Sequence, residues 1–327
     1  MKLGVIGAGA WGTALAQIAA TAGQDTLLWA REAEVVSAIN ETHENALFLP
    51  GVALSPAIIA TSELAHLQAC DALLVVTPAQ FLGRVLAEAQ PGHRPLILCS
   101  KGIEAETQRL MSDVAADTCP QAPIAVLSGP TFAHEVAKGL PTAITLACAD
   151  DGLGQHLAQR IAQPHFRPYL STDVVGAEIG GAVKNVLAIA CGVVEGAGLG
   201  QNARASLIAR GFAEMTRFGV ARGAQAETLA GLSGLGDLVL TCSSTSSRNF
   251  SLGKGLGEGQ SAAALLADRR TVAEGAYTAP VLQQAARALG VEMPIVDAVC
   301  ALLAGDMDVG GVMTALLSRP IRGEASF

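Results

Sequence analysis

The sequence is poor in aromatic rings and in charge: aromatics make up 4% of its 327 residues and charged residues 15%. With Ala, Gly and Leu abundant instead, tightly packed helices and turns are expected. Cations are outnumbered, 21 Lys and Arg against 29 Asp and Glu, and the net charge of −8 argues against a nucleic-acid surface as the main role. The seven cysteines (70, 99, 119, 148, 191, 242, 300) are odd in number, scattered, and lack any C-x-x-C pair. Neither a disulfide framework nor a zinc site is indicated, and a soluble, reducing, cytoplasmic setting is expected. Beyond the N-terminus no apolar run reaches the roughly 18 to 20 residues of a membrane span. Internal repeats, charge blocks and low-complexity linkers are also lacking. The length suggests two domains, and with charge so sparse, each ionisable residue inside an apolar segment becomes informative.

What is present begins at once. Gly7, Gly9 and Gly12 follow the apolar run Leu3 to Ile6 and precede the alanine-rich stretch Thr13 to Ala20. This is strand, glycine turn, helix. In G-x-G-x-x-G the first glycine permits the tight turn, the second lets backbone N–H groups approach a pyrophosphate, and the third lets helix pack on strand. The helix N-terminus then faces an anion it stabilises. The competing reading is a secretory signal ending near Ala20-Thr21-Ala22, but glycines at this spacing would weaken a signal helix, and another strand follows directly.

The first half continues as short apolar strands alternating with helical stretches, as a parallel sheet requires: Thr26 to Ala30, Asp71 to Val76, Leu96 to Cys99, Ile124 to Leu127 and Thr142 to Leu146. After about Asp173 only helices are read: Val174 to Val194, Ala203 to Phe218, Ser261 to Leu266, Ala279 to Leu289 and Pro294 to Leu303. The expected fold is α/β, with a Rossmann-type doubly wound sheet over residues 1–173 and an all-helical substrate domain over 174–327. Ligands in such sheets sit beyond the carboxyl ends of the strands.

Candidate site residues follow from that rule. Arg31 ends the second strand, where an acid usually meets the ribose hydroxyls of NAD and an arginine accommodates a 2′-phosphate. With Glu32 beside it the sign points towards NADP, ambiguously, and a solvated pair opening the next helix is the other reading. Lys101 places a cation after the Leu96 strand, or is a surface turn lysine. Ser128-Gly129-Pro130-Thr131 repeats the arrangement, or is a turn and helix cap. Lys184 is the one charged side chain between Glu178 and Glu195. Burial of an ammonium is costly and lowers its pKa towards values useful for proton transfer, unless the side chain snorkels at the helix edge. Gly231 to Thr241, then Ser243 to Asn249 with Arg248, combine glycines, hydroxyls and a guanidinium suited to phosphate, or form a flexible surface loop.

Taken in order, Gly7 to Ala16, Ser100-Lys101-Gly102, Ser128 to Thr131, Lys184-Asn185-Val186, Gly198 to Arg204, Gly234 to Asp237 and Ser247-Arg248-Asn249 resemble the bacterial NAD(P)-dependent sn-glycerol-3-phosphate dehydrogenases. Two positions depart from the pattern: Ala10, where Ser or Thr is common, and Ala276-Tyr277 after Glu274-Gly275. The resemblance implies reversible reduction of dihydroxyacetone phosphate to sn-glycerol 3-phosphate by a cytoplasmic homodimer serving phospholipid synthesis. It implies Lys184 as proton donor and acceptor, and substrate contacts from Lys101, Gly129, Thr131, Lys184, Asp237, Ser247, Arg248 and Asn249. Cofactor contacts would come from Gly7, Gly9, Ala10, Trp11, Gly12, Arg31, Lys101, Ala133, Arg248, Val272 and Glu274. The cofactor is NADP or NAD, with NADPH slightly favoured, and neither a metal, a nucleic acid nor a membrane is involved. Two readings remain beside it: a related two-domain dehydrogenase of another hydroxy acid, and a nucleotide-sensing protein without turnover.

Overall fold

The computed structural model describes residues 1–267 and 273–320. It divides into two compact units, one of residues 1–101 and 109–177, the other of 102–108 and 178–327. The exchange of 102–108 has no counterpart in the sequence reading, which leaves that segment in the first domain.

The first unit holds one eight-stranded sheet: β1 (Lys2–Ile6), β2 (Asp25–Trp29), β3 (Ile58–Thr61), β4 (Ala72–Val75), β5 (Leu96–Leu98), β6 (Ile124–Ser128), β7 (Thr142–Cys148) and β8 (Phe166–Ser171). Their order is β3-β2-β1-β4-β5-β6-β7-β8. Side chains alternate between two buried faces, as the period of a strand dictates. Leu3, Val5, Leu28, Leu74, Ile97 and Leu127 enter one core with Leu15 and Ile18 of α1 (Ala10–Thr21). Ile6, Leu27, Leu73, Val75, Leu96, Leu98 and Val126 enter the other. Both faces are therefore covered, which explains strands read as continuous apolar runs. After α2 (Ala33–Thr42) and β3 the chain returns to β1's other side as β4, so the topological switch lies at the carboxyl ends of β1 and β4.

The sheet departs from the expected parallel series at β7, which runs antiparallel to β6 with Ser128 opposite Thr145. The helix available between them, α5 (Ala133–Ala137), follows α3 (Leu82–Ala89) and α4 (Met111–Thr118) and has only five residues. Five helical residues rise about 7 Å, against about 16 Å for a five-residue strand, so α5 does not span the return to the amino end of the sheet, and β7 starts where β6 stops. The two edge strands β3 and β8 escape the sequence pattern. β8 alternates poorly, exposes Tyr169 and Leu170, and carries Pro168, which an edge tolerates because one rank of N–H groups has no ladder partner.

After α6 (Asp151–Ile161), the helix α7 (Val174–Gly196) carries the chain into the second unit. Among the described residues it is the one helix long and apolar enough to cross a membrane, contrary to the expectation that no such run exists. Yet 89% of its most apolar stretch is buried within the protein, as befits a core helix. After it come α8 (Gln201–Ala221), α9 (Ala226–Leu229), a π-helical turn (Leu232–Gly236), α10 (Asp237–Thr241), α11 (Arg248–Gly257), α12 (Ala262–Leu266), α13 (Glu274–Ala288), α14 (Pro294–Ala304) and α15 (Val309–Leu317). The stretch open to reading as a surface loop is thus partly helix. Its sequence is glycine-rich and helix-poor by propensity, and packing supplies the order. A Cβ at Gly253 of α11 would lie 1.9 Å from the Ile189 carbonyl oxygen, and one at Gly192 of α7 would lie 2.0 Å from that of Phe250. Glycines four apart on both helices, 192 and 196, 253 and 257, bring backbone against backbone.

Candidate active site

In the first unit the glycines divide by role. Gly7 has φ +110, a conformation L side chains rarely adopt, and a Cβ there would lie 2.9 Å from the Val76 carbonyl oxygen. At Gly12 a Cβ would lie 1.8 Å from the Gly7 carbonyl oxygen, so only glycine lets α1 rise this close to β1. Gly9 meets nothing within 4 Å. It N-caps α1 without a side-chain hydrogen bond, leaving open space before the first-turn N–H groups of Ala10, Trp11 and Gly12. The Trp11 indole N–H is buried without a hydrogen-bond partner among the described residues. An open cradle before a helix N-terminus, plus an unmet donor, fits a dinucleotide pyrophosphate.

The strand ends beside this cradle carry the other expected residues. Gly7 N donates to the Trp29 carbonyl oxygen at 3.1 Å, which ties the glycine turn to the end of β2, just before Arg31. Lys101 Nζ and Thr131 Oγ1 both donate to the Gly129 carbonyl oxygen, at 3.4 and 3.3 Å, so these three residues meet. A Cβ at Gly129 would lie 3.1 Å from Ile144 Cα, which explains the glycine. Ala133 opens α5 just beyond.

The second unit assembles its own group. Lys184 is 6% exposed and Asp237 0%. Lys184 Nζ donates to Asp237 Oδ1 at 2.5 Å and to Thr241 Oγ1 at 3.0 Å, and Thr241 Oγ1 donates to Asp237 Oδ1 at 3.3 Å. The register comes from another glycine: a Cβ at Gly180 would lie 2.2 Å from the Ser233 carbonyl oxygen. Gly180 and Lys184 share a face of α7 four residues apart, as Ser233 and Asp237 are four apart on their segment. Backbone contact at the first pair sets side-chain contact at the second. The snorkelling alternative is thereby excluded: the ammonium is inside, 6% exposed, and paired with a buried carboxylate. Behind the pair lies Cys242, whose thiol pKa burial raises well above its ordinary value, with Cys191 next in effect.

The remaining residues join through α11. Ser247 caps its N-terminus, accepting from Phe250 N at 3.2 Å, and Arg248 is exposed in the first turn. Asn249 is buried and its Oδ1 accepts from Gly275 N at 2.9 Å, beside Glu274 at the start of α13. A Cβ at Gly275 would lie 2.5 Å from the Asn185 carbonyl oxygen, so α13, α11 and the Lys184-Asn185 turn of α7 converge. Val272 lies outside the described residues.

A cation fixed against an acid and a hydroxyl in one unit, and an open helix N-terminus after a glycine turn in the other, are features that a dinucleotide-dependent oxidoreductase would use. Family comparison is decisive here: residues 2–153 match the model of the NAD-dependent glycerol-3-phosphate dehydrogenase N-terminus and residues 173–314 that of its C-terminus. The chain belongs to this family. Relatives named glycerol-3-phosphate dehydrogenase [NAD(P)+] include one from Erythrobacter litoralis, 66% identical over 323 residues, and one from Sphingopyxis alaskensis, 64% identical over 323 residues. Each alignment covers 99% of this chain and 98% of the relative. The crystal structure of the glycerol-3-phosphate dehydrogenase from Coxiella burnetii superposes with a TM-score of 0.92 at 37% identity, covering 97% of this chain and 99% of that one.

For this dehydrogenase the sequence reading misses Thr241 as the second partner of Lys184. The signal was available, because Thr241 lies four residues after Asp237 on one helix and so shares its face.

Proposed function

We propose that the chain catalyses reversible NAD(P)H-dependent reduction of dihydroxyacetone phosphate to sn-glycerol 3-phosphate, with Lys184 as the proton donor and acceptor. The observation that carries this reading is the buried Lys184–Asp237–Thr241 group in a member of the glycerol-3-phosphate dehydrogenase family. The cofactor, when bound, supplies or accepts the hydride at C2 of the substrate. Gly9, Ala10, Trp11 and Gly12 would hold its pyrophosphate through backbone donors, with Gly7, whose own N–H is bonded to Trp29, shaping the turn and Arg31 at the adenosine end. Lys184 gives a proton to the alkoxide oxygen developing at C2, placing stabilisation where charge appears only in the transition state. Asp237 and Thr241 fix the position of that nitrogen through their hydrogen bonds to it. In the oxidative direction the same nitrogen takes the proton back. Arg248 offers a planar fork to two phosphate oxygens, with Asn249 and Ser247 completing the anion site at the α11 N-terminus. In the first unit the residues that would contact substrate are Lys101, Gly129 and Thr131, which meet at the Gly129 carbonyl oxygen. A homodimer in the cytoplasm completes the reading, and sedimentation of the purified chain checks its size.

The test is spectrophotometric oxidation of NADPH and of NADH with dihydroxyacetone phosphate, beside a panel of 2-keto acids. Turnover confined to dihydroxyacetone phosphate is expected. Preference for a keto acid would transfer the chain to another substrate class, and no turnover with any substrate would leave a nucleotide-binding protein.

A further inference from the structure

The end of β2 carries a device that bears on the choice between NADH and NADPH. Trp29 and Ala30 are held from both sides, the first accepting from Gly7 N at 3.1 Å and the second donating to the Thr61 carbonyl oxygen at 3.0 Å. Arg31 and Glu32 therefore leave a rigid strand end beside the glycine turn. An acid at such a site accepts from the ribose hydroxyls of NADH, and an arginine there accommodates the 2′-phosphate of NADPH. This chain has one of each, and they are paired: Arg31 Nε and Nη2 both donate to Glu32 Oε1, at 3.1 and 2.8 Å. Glu32 is also the N-cap of α2, and its carboxylate makes no capping bond to the helix N–H groups. It is turned towards the guanidinium instead.

We infer that Glu32 is a specificity-determining residue for the cofactor, holding Arg31 in check so that the enzyme accepts both NADH and NADPH. The inference rests on the dehydrogenase reading above. The Arg31 side chain is 82% exposed, and an ion pair so open to water is easily exchanged. A 2′-phosphate can draw the guanidinium away, but it then lies beside the carboxylate and is repelled. With NADH no phosphate competes, and Glu32 accepts from the ribose hydroxyl. The two residues thus push in opposite directions, and the balance between them sets the preference.

The experiment is direct titration of NADPH and NADH by isothermal calorimetry, without substrate, on wild type, Glu32→Gln and Arg31→Ala, with melting curves to confirm folding. Glu32→Gln removes the charge and keeps the shape. Its ratio of NADH Kd to NADPH Kd should rise about tenfold or more, through tighter NADPH and weaker NADH, and that of Arg31→Ala should fall by a similar factor. The inference is overturned if Glu32→Gln changes both affinities by one common factor, or neither. Binding of neither cofactor by wild type would instead overturn the dehydrogenase reading, and the inference with it.

Discussion

Lys184 and Asp237 form a charge pair almost wholly withdrawn from water, and that makes their energetics separable by a double-mutant cycle. Lys184→Met removes the ammonium and leaves the Asp237 carboxylate, which is 0% exposed, with the Thr241 hydroxyl at 3.3 Å. Asp237→Asn removes the carboxylate and leaves an ammonium facing an amide. Breaking a buried pair from one side costs about 3 to 5 kcal/mol, because the survivor keeps its desolvation penalty without its partner. Independent sites would give the double variant a cost of about 6 to 10 kcal/mol on that scale. A pair predicts otherwise: with both charges gone no penalty is stranded, so the double variant should be no less stable than the worse single one. The coupling should then be about 3 to 5 kcal/mol. Chemical denaturation at neutral pH, followed by circular dichroism for all four proteins, measures it. Additivity within about 0.5 kcal/mol would refute the argument that this contact holds α7 to α10 by charge.

Arg248→Lys keeps a charge but loses the planar fork, so the KM for dihydroxyacetone phosphate should rise by roughly one to two orders of magnitude, while unphosphorylated dihydroxyacetone should already be a poor substrate of the wild type and barely worse with the variant. Equal losses with both substrates, measured in steady-state assays, would remove Arg248 from the phosphate site. Gly9→Ala should leave the melting temperature nearly unchanged, since its Cβ meets nothing within 4 Å, yet weaken NADPH binding by calorimetry because the methyl fills the cradle; unchanged affinity would show that no pyrophosphate lies there. Glu214 is buried and accepts from Ile295 N at 2.8 Å, and burial raises its carboxyl pKa from 4.5 to about 7. The folded state therefore binds the proton more tightly than the unfolded state, and stability falls as pH rises from the unfolded value through the folded one. Relative to Glu214→Gln, wild type should lose about 3 kcal/mol between pH 4.5 and 8, and parallel stability curves would contradict this.

Much of the site was legible because its chemistry needs residue types that stand out against an apolar chain. Lys184 is conspicuous in α7, and the glycine turn announces itself through spacing. The partner of Lys184 was harder to read. Asp237 lies 53 residues away, and only the backbone contact of Gly180 with Ser233 shows why the two meet. Methionine at position 184 would suit the apolar residues of α7 but would strand the buried Asp237 carboxylate. Helix α11 was hidden for the opposite reason, since its glycines lower local propensity and make sense only against the glycines of α7. The reversal at β7 and the edge strands depend on connection length and sheet position, which hydrophobic pattern alone does not carry.

The central claim is that Lys184 moves the proton in this dehydrogenase, and the most direct measurement is the kcat for dihydroxyacetone phosphate reduction by Lys184→Met, on protein shown by circular dichroism to be folded and by calorimetry to bind NADPH. The account predicts a fall of at least 10² to 10⁴-fold, roughly the loss expected of an acid–base group. A folded, cofactor-binding variant that turns over at close to the wild-type rate would contradict it.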